Sequence, residues 1–443
     1  ADLAVGETAI AYGNNSTAAV IGDISGATGV TVYRNRGSVG SVTAKTGSVT
    51  IGQSTTDAEI LAYNANSGSI GSVTSEIGIV YLYTNHPDGK VAMGDGQKVS
   101  AGSSVTLGNA SVSNGNQIGP VYAGTSIGVY NGTGGKIESL NADTSINISA
   151  NSGTIGNVEA VSSIGIGTAA AANAGVIGTI TSTGSSVSIY NGTTAVGEIS
   201  GYSGVTVNAN AAALSRIVSE NGFVTVGANG KNADNANGVT GNTGTIAQIE
   251  SKTSVTICRN TGTIGTVTST ENGVTIGQST ADEAVQAYNV NSGTIGSVTA
   301  ATSVNIYTAN TEGTIAVGDA QAVSAGTSVA IGNTQVINGN TIGPVTAGTN
   351  ISIGGAGKLN AGTIESVTTA GGTITAFNNA GIGSMSAGKT YSISLTLGDG
   401  AQPTAVITAD GNVTVTNTGA ASPVVNVTTS GGNVTSTKTG DAY

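Results

Sequence analysis

Tryptophan is absent from the 443-residue chain, cysteine occurs once and phenylalanine twice. A single cysteine, Cys258, excludes an intrachain disulfide framework. Charged residues make up 8% of the chain, against about 25% in an ordinary globular domain. The formal net charge is -11, with 13 basic residues, which excludes the clustered Lys and Arg that nucleic acid requires. No apolar run reaches the roughly 20 residues of a membrane-spanning helix. Low charge with few aromatics is also the composition of disordered chains. Here the β-branched residues are abundant, proline is limited to 5 residues, and the apolar residues recur at fixed spacing. Those features indicate an ordered β structure. Its thin charge also tolerates close self-association.

What is abundant is glycine, at 70 residues, with Ser, Thr, Asn, Val, Ile and Ala. Repeats organise them at two periods. Thr31-Val32-Tyr33-Arg34-Asn35 returns as Thr256-Ile257-Cys258-Arg259-Asn260, and Ile51-Gly52-Gln53-Ser54-Thr55 as Ile276-Gly277-Gln278-Ser279-Thr280. Farther on, Ile118-Gly119-Pro120-Val121 returns as Ile342-Gly343-Pro344-Val345. The chain therefore reads as two copies of one half joined near 230–240.

The shorter period is a quartet of aliphatics: one residue, a second three positions on, then two more separated by one residue. Examples are Ile21, Ile24, Val30, Val32, and Ile137, Leu140, Ile146, Ile148. Quartets mostly begin 18 or 19 residues apart (39 − 21 = 18; 137 − 118 = 19). The second pair alternates with period two, as a strand with one buried face does. The first pair, three apart, predicts a corner between its members. Glycine often follows the first aliphatic, as at Gly40, Gly119 and Gly343, where φ > 0 or a close backbone approach is expected.

Strand, corner, strand, corner in about 18–19 residues is one rung of a parallel β-solenoid. The expected fold is all-β, with duplicated halves at 1–235 and 236–385 and a C-terminal β-rich segment at 386–443. Roughly 20 rungs at about 4.8 Å predict a rod on the order of 100 Å long. In-register stacking also predicts ladders of identical polar residues. Tyr63-Asn64, Tyr130-Asn131, Tyr190-Asn191 and Tyr288-Asn289 are the expected members.

Rungs such as Gly293-Thr294-Ile295-Gly296-Ser297-Val298-Thr299 resemble those of bacterial secreted parallel β-helices, including filamentous adhesins and autotransporter passenger regions. The resemblance spans roughly residues 15–390. It implies a secreted, cell-surface or extracellular protein, and the start at Ala1 fits a mature terminus left by signal-peptide removal.

Two insertions are expected in each half: Gln53–Asn66 with its copy Gln278–Asn291, and about Thr84–Gln117 with its copy Thr308–Thr341, where Ser104–Gly108 reads as a partial rung. From about 385 the quartets give way to longer alternating runs, which read as a small β-sandwich or a set of edge strands. Bare terminal rungs expose unpaired N–H and C=O groups. The expected partner is therefore a second copy of the chain, joined head to tail into a homopolymeric filament, fibre or sheath. The alternative is an adhesin stalk whose duplicated insertions bind a surface or glycan. Polysaccharide chemistry and ice binding are weaker options.

Catalysis of polysaccharide cleavage needs clustered carboxylates, and the only duplicated acidic pairs are Asp57/Glu59 and Asp282/Glu283. His86, in Asn85-His86-Pro87-Asp88-Gly89, reads as an exposed turn residue. Cys258, facing Tyr33 across the duplication, reads as a packed side chain. Arg34 and Arg259 read as partners of an acidic residue or of another subunit. Weak calcium ligation is open at Asp95, Asp319 and Asp399. Glycosylation sequons fall at Asn14, Asn15, Asn109, Asn131, Asn147, Asn191, Asn350, Asn412, Asn426 and Asn433. No catalytic, cofactor-binding or metal-ligating set is assigned.

Overall fold

The computed structural model describes residues 3–5, 10–14, 16–192, 195–227, 241–388, 390–400, 406–419 and 425–439, with side chains from residue 16 onward. The duplication joint near 230–240, Ala1 and the sequon at Asn15 lie outside the described residues. The chain divides into two compact units, Ala1–Val205 and Thr206–Tyr443. Each is a parallel β-solenoid, and together their described residues make about 19 turns averaging about 21 residues. The all-β solenoid reading is therefore correct. The 18-residue spacing belongs to rungs with tight corners, such as Ile137 to Ile155 (155 − 137 = 18), and loops lengthen the others.

In the first unit, each rung contributes one strand to one sheet and either one strand or two short ones to the other. Val30, Val49, Val80, Val105, Ile127, Ile146, Ile164 and Val187 stand in register in one sheet, here sheet B. Ile24, Val42, Val73, Val99, Val121, Leu140, Val158, Ile180 and Ile199 do so in sheet A. All these residues are buried. Beside the sheet A column runs a column of small residues that includes Ala44, Ser75, Ala101, Ala123, Ala142 and Ala160. The core is thus a stack of aliphatic columns two side chains deep, which explains why Ile and Val dominate and large aromatics are scarce. Burying each Val or Ile contributes about 1.5–3 kcal/mol. The second unit repeats the scheme, from Ile217, Ile249 and Val267 in sheet A to Val413 and Val434 in sheet B.

Three expectations are corrected. The first aliphatic pair does not flank a corner. Ile137 and Leu140 lie in one strand, Lys136–Ala142, and Glu138 and Ser139 both point outward between them. One residue is taken out of the pleat there, and pairing with the next rung skips it: Ile137 pairs with Ile155 and Ser139 with Asn157. The second "insertion" is a complete rung. Lys90–Val91 and Val99–Ala101 join sheet A, and Val105–Leu107 joins sheet B. Its aliphatic pair was masked because the loop Ala92–Lys98 separates Val91 from Val99. Finally, the segment after 385 is no sandwich. Ile382–Ala387, Val406–Ala409 and Val427–Thr429 continue sheet A, while Ile393–Leu397, Val413–Asn417 and Val434–Lys438 continue sheet B.

A buried asparagine ladder runs along one corner of each unit. In the first, Asn35 Nδ2 donates to Asn66 Oδ1 at 2.9 Å and Asn66 Nδ2 to Asn116 Oδ1 at 3.0 Å. It resumes from Asn114 through Asn131, Asn151 and Asn173 to Asn191, at 2.8–3.1 Å per step. In the second, Asn210, Asn242, Asn260, Asn291 and Asn340 are linked, and then Asn338, Asn360 and Asn378, each step being 2.8 Å. An Asn amide carries two N–H donors. One goes to the next Asn, and the other commonly closes on the carbonyl two residues ahead, as from Asn173 to Gly175 O at 2.9 Å. Backbones come close at these turns: a Cβ on Gly262 would lie 2.1 Å from Gly244 O. Of the four Tyr-Asn pairs, only Asn131 and Asn191 belong to the ladder. Asn64 and Asn289 instead terminate short helices, and the tyrosines form no interstrand stack among the described residues. The stacked pair present, Tyr81 and Tyr83, lies within one strand with centroids 5.7 Å apart.

Candidate functional site

The duplicated insertion Gln53–Asn66 carries a six-residue helix, α1 (Ala58–Tyr63), and its copy carries α2 (Glu283–Tyr288). Asp57 and Asp282 are the N-caps. Asp57 Oδ1 accepts from Glu59 N at 3.0 Å and Ile60 N at 3.2 Å, and Asp282 Oδ1 from Ala284 N at 3.1 Å. The acidic pairs are thus explained locally: one carboxylate satisfies orphan amides and its neighbour sits in the first helical turn. At the other end Asn64 Nδ2 donates to Gln53 Oε1 at 2.6 Å, which ties the loop to its own base.

The duplicated arginines stack on these helices. The Arg34 guanidinium lies 4.1 Å from the Tyr63 ring centroid, and that of Arg259 lies 4.7 Å from Tyr288. The contact seen is therefore a cation–π one to an aromatic on the inserted helix. One rung beyond the next, the loop Asn109–Val112 reaches the same ridge, with Asn109 Nδ2 donating to Ser54 Oγ at 2.6 Å. In the copy, Asn333 Nδ2 donates to Ser279 Oγ at 2.7 Å. The two regions of extra chain in each half meet through these bonds. In the first unit Ile60 and Tyr63 remain exposed on the ridge; in the second Val285 is buried.

The loop Ala92–Lys98 stands on the outer face of sheet A. A cavity of about 310 Å³ lies on one side of it, lined by Met93, Asp95, Gln97, Lys98, Tyr122 and Glu138. The Lys98 ammonium is 5.4 Å from the Tyr122 centroid, and Tyr122 is 43% exposed. Gln97 Oε1 accepts from Gly94 N at 3.0 Å, so the side chain is held with its Nε2 as the donor end. Sequence reasoning placed Asp95 here but missed Lys98, Tyr122 and Glu138, because they come from three successive rungs. For two of them the available signal was substitution within an otherwise faithful repeat: Lys98 and Tyr122 correspond to Ala322 and Thr346, whereas Glu138 returns as Glu365.

The remaining candidates lie apart. His86 sits in its turn, partly exposed, with its Nδ1 accepting from Asp88 N at 3.3 Å. Asp319 lies in the copy of the Ala92–Lys98 loop, and Asp399 in a turn after Ile393–Leu397. Among the described residues no three His, Cys, Asp or Glu side chains gather in a metal-holding group. Asn131 and Asn191 are buried in the ladder, which closes their sequons in the folded state; Asn147, Asn350, Asn412, Asn426 and Asn433 are exposed. Asp23 accepts from Ser41 N and Oγ at 2.6 and 2.7 Å, and those bonds hold its carboxyl below the usual range.

Cys258 is 2% exposed, whereas Tyr33 at the matching position is 41% exposed. Burial pushes the Cys258 thiol up to about 11. The thiolate is the reactive species. Native protein at pH 8 is therefore expected to react with an aromatic disulfide reagent at least 100-fold more slowly than urea-unfolded protein. Comparable rates would show the site to be open.

No protein-family model matches the chain, and no curated protein or solved structure is detectably similar to it. Among the described residues no helix is long and apolar enough to cross a membrane.

Proposed function

We propose that this is an extracellular structural protein whose copies join end to end into a filament, fibre or sheath. The observation that carries the reading is the rung Val427–Lys438. Its strands pair with the preceding rung only, among the described residues. Every residue of Val434–Lys438 is exposed, Val434 to 52%. A cavity of about 510 Å³ opens there against Leu397, Val415, Val425 and Val427. In the first unit, Leu3–Val5 and Ile10–Asn14 likewise pair on one side only, among the described residues. Parallel in-register strands present complementary N–H and C=O rows at their two edges, so one edge templates the other. A heterologous contact of this kind propagates unless its rotation closes a ring.

Electron microscopy of the purified chain, with sedimentation, tests this. Filaments are expected, and Val434→Lys, which puts a charge into the contact, is expected to shorten or abolish them. Monodisperse monomer at high concentration would refute the reading.

The helix ridge supports a second role, an adhesive stalk, because Ile60 and Tyr63 are 37% and 57% exposed on a loop tied firmly at its base. Deleting both copies of the insertion separates the roles: lost adhesion with intact filaments favours the stalk.

A further inference from the structure

We infer that the cavity between the Ala92–Lys98 loop and sheet A of the first unit is a binding site for a neutral hexopyranose ring, terminal or within a glycan. The inference does not rest on self-assembly, and it places recognition at a site present in one half only.

Three properties select the ligand. Tyr122 and Met93 are 43% and 46% exposed although each borders a concave site, and the Lys98 ammonium stands over the Tyr122 ring at 5.4 Å, so the apolar surface still open among the described residues is Met93 and the part of Tyr122 that Lys98 leaves bare. An aromatic face bordered by polar groups suits the C–H face of a pyranose ring. The polar groups supply both senses of hydrogen bond: Asp95 and Glu138 accept, while the Gln97 Nε2 and Lys98 ammonium donate. Vicinal hydroxyls, each both donor and acceptor, match that mixture. Finally, the volume of about 310 Å³ suits one or two sugar rings and is small for a folded partner.

Competing ligands fit less well. A metal ion would find two carboxylates with a lysine beside them, which opposes a cation. An acidic sugar would meet both carboxylates in a chain of net charge -11.

The duplication supplies an internal control. Asp95 and Gln97 return as Asp319 and Gln321, but Met93, Lys98 and Tyr122 are replaced by Val317, Ala322 and Thr346. Tyr122 pairs with Ser100 in the same register in which Thr346 pairs with Ser324. The copy thus keeps Asp319, Gln321 and Glu365 as the counterparts of Asp95, Gln97 and Glu138, without the lysine and the aromatic wall, and it is expected not to bind.

The test is saturation-transfer NMR on the full chain with the methyl glycosides of glucose, galactose, mannose and N-acetylglucosamine, and with methyl glucuronide as the acidic comparator. A ring of about 12 non-hydrogen atoms in a shallow site binds with Kd on the order of millimolar. Transfer to at least one neutral glycoside is expected. Tyr122→Thr should weaken it at least 10-fold, and Thr346→Ala should leave it unchanged. Thr is already accommodated at this register in the copy, so Tyr122→Thr is not expected to unfold the rung. Glu138→Gln provides a second variant of nearly unchanged shape and should act in the same direction. Absence of transfer to all four neutral glycosides, transfer indifferent to Tyr122→Thr and Glu138→Gln, or a glucuronide bound as well as the neutral sugars would overturn the assignment.

Discussion

Asn116→Ala is expected to destabilise the first unit by about 3–5 kcal/mol, a large effect for one polar side chain. Asn116 is fully buried. Its Nδ2 donates to Asn66 O at 3.1 Å and His86 O at 2.6 Å, and its Oδ1 accepts from Asn66 Nδ2 at 3.0 Å. Alanine leaves the buried Asn66 carbonyl and the part-buried His86 carbonyl without those donors, the latter keeping Gly89 N at 3.2 Å, and an amide without its acceptor. Each such group costs about 1–3 kcal/mol, and Asn66 Nδ2 retains a weaker bond to Lys90 O at 3.3 Å. Asn340→Ala should behave alike in the second unit, since Asn340 Nδ2 serves Asn291 O and Asn310 O at 2.9 and 2.7 Å. Asn147→Ala, at an exposed outward position, should stay within about 0.5 kcal/mol. Urea unfolding with an unchanged m-value measures the difference. A loss below about 1 kcal/mol at Asn116 would mean that water or relaxation replaces the ladder.

Gly119→Ala should cost about 3 kcal/mol, while Gly128→Ala in the following strand should be neutral or stabilising by up to about 1 kcal/mol. A Cβ at Gly119 would lie 1.9 Å from Ala92 O, whereas one at Gly128 meets nothing within 4 Å. Ala92 causes the difference. Its carbonyl stands under Gly119, and its φ of 55° is a left-handed conformation. The copy repeats the arrangement, with Ala316 at φ 54° and 1.8 Å between its carbonyl and a Cβ on Gly343. The sequence pattern of glycine after the first aliphatic is thus explained by close approach, which Gly156 and Gly265 also show at 2.0 and 2.1 Å from Glu138 O and Ala247 O, and positive φ falls on the preceding rung only beneath Gly119 and Gly343. Thermal melts of the two variants, read in opposite directions, check this. Equal losses would contradict it.

The aliphatic quartets were legible because each of their positions has one environment. Ile137, Leu140, Ile146 and Ile148 face one thin interior, and no rung can bury them alone. What escaped was whatever depends on the partner rung. The outward pair Glu138-Ser139 leaves the same i, i+3 spacing as a corner would. The ladder was sought beside tyrosines, yet its signal is Asn-x-Gly ahead of the next strand, as in Asn151-Ser152-Gly153, Asn260-Thr261-Gly262 and Asn360-Ala361-Gly362. There the side chain needs a partner above and the glycine a backbone below. The cavity at Tyr122 was equally invisible, since Lys98, Tyr122 and Glu138 become neighbours only when three coils are stacked.

The Asn114-Gly115-Asn116 turn works as a splice. Asn114 hands the amide chain forward to Asn131, while Asn116 reaches backward past the coil of His86 to Asn66, and Asn338-Gly339-Asn340 repeats the device. A coil with no amide of its own can therefore be tolerated without interrupting the hydrogen-bonded spine. The turn so bypassed is the one that leads, through Lys90–Val91, into the outer loop Ala92–Lys98.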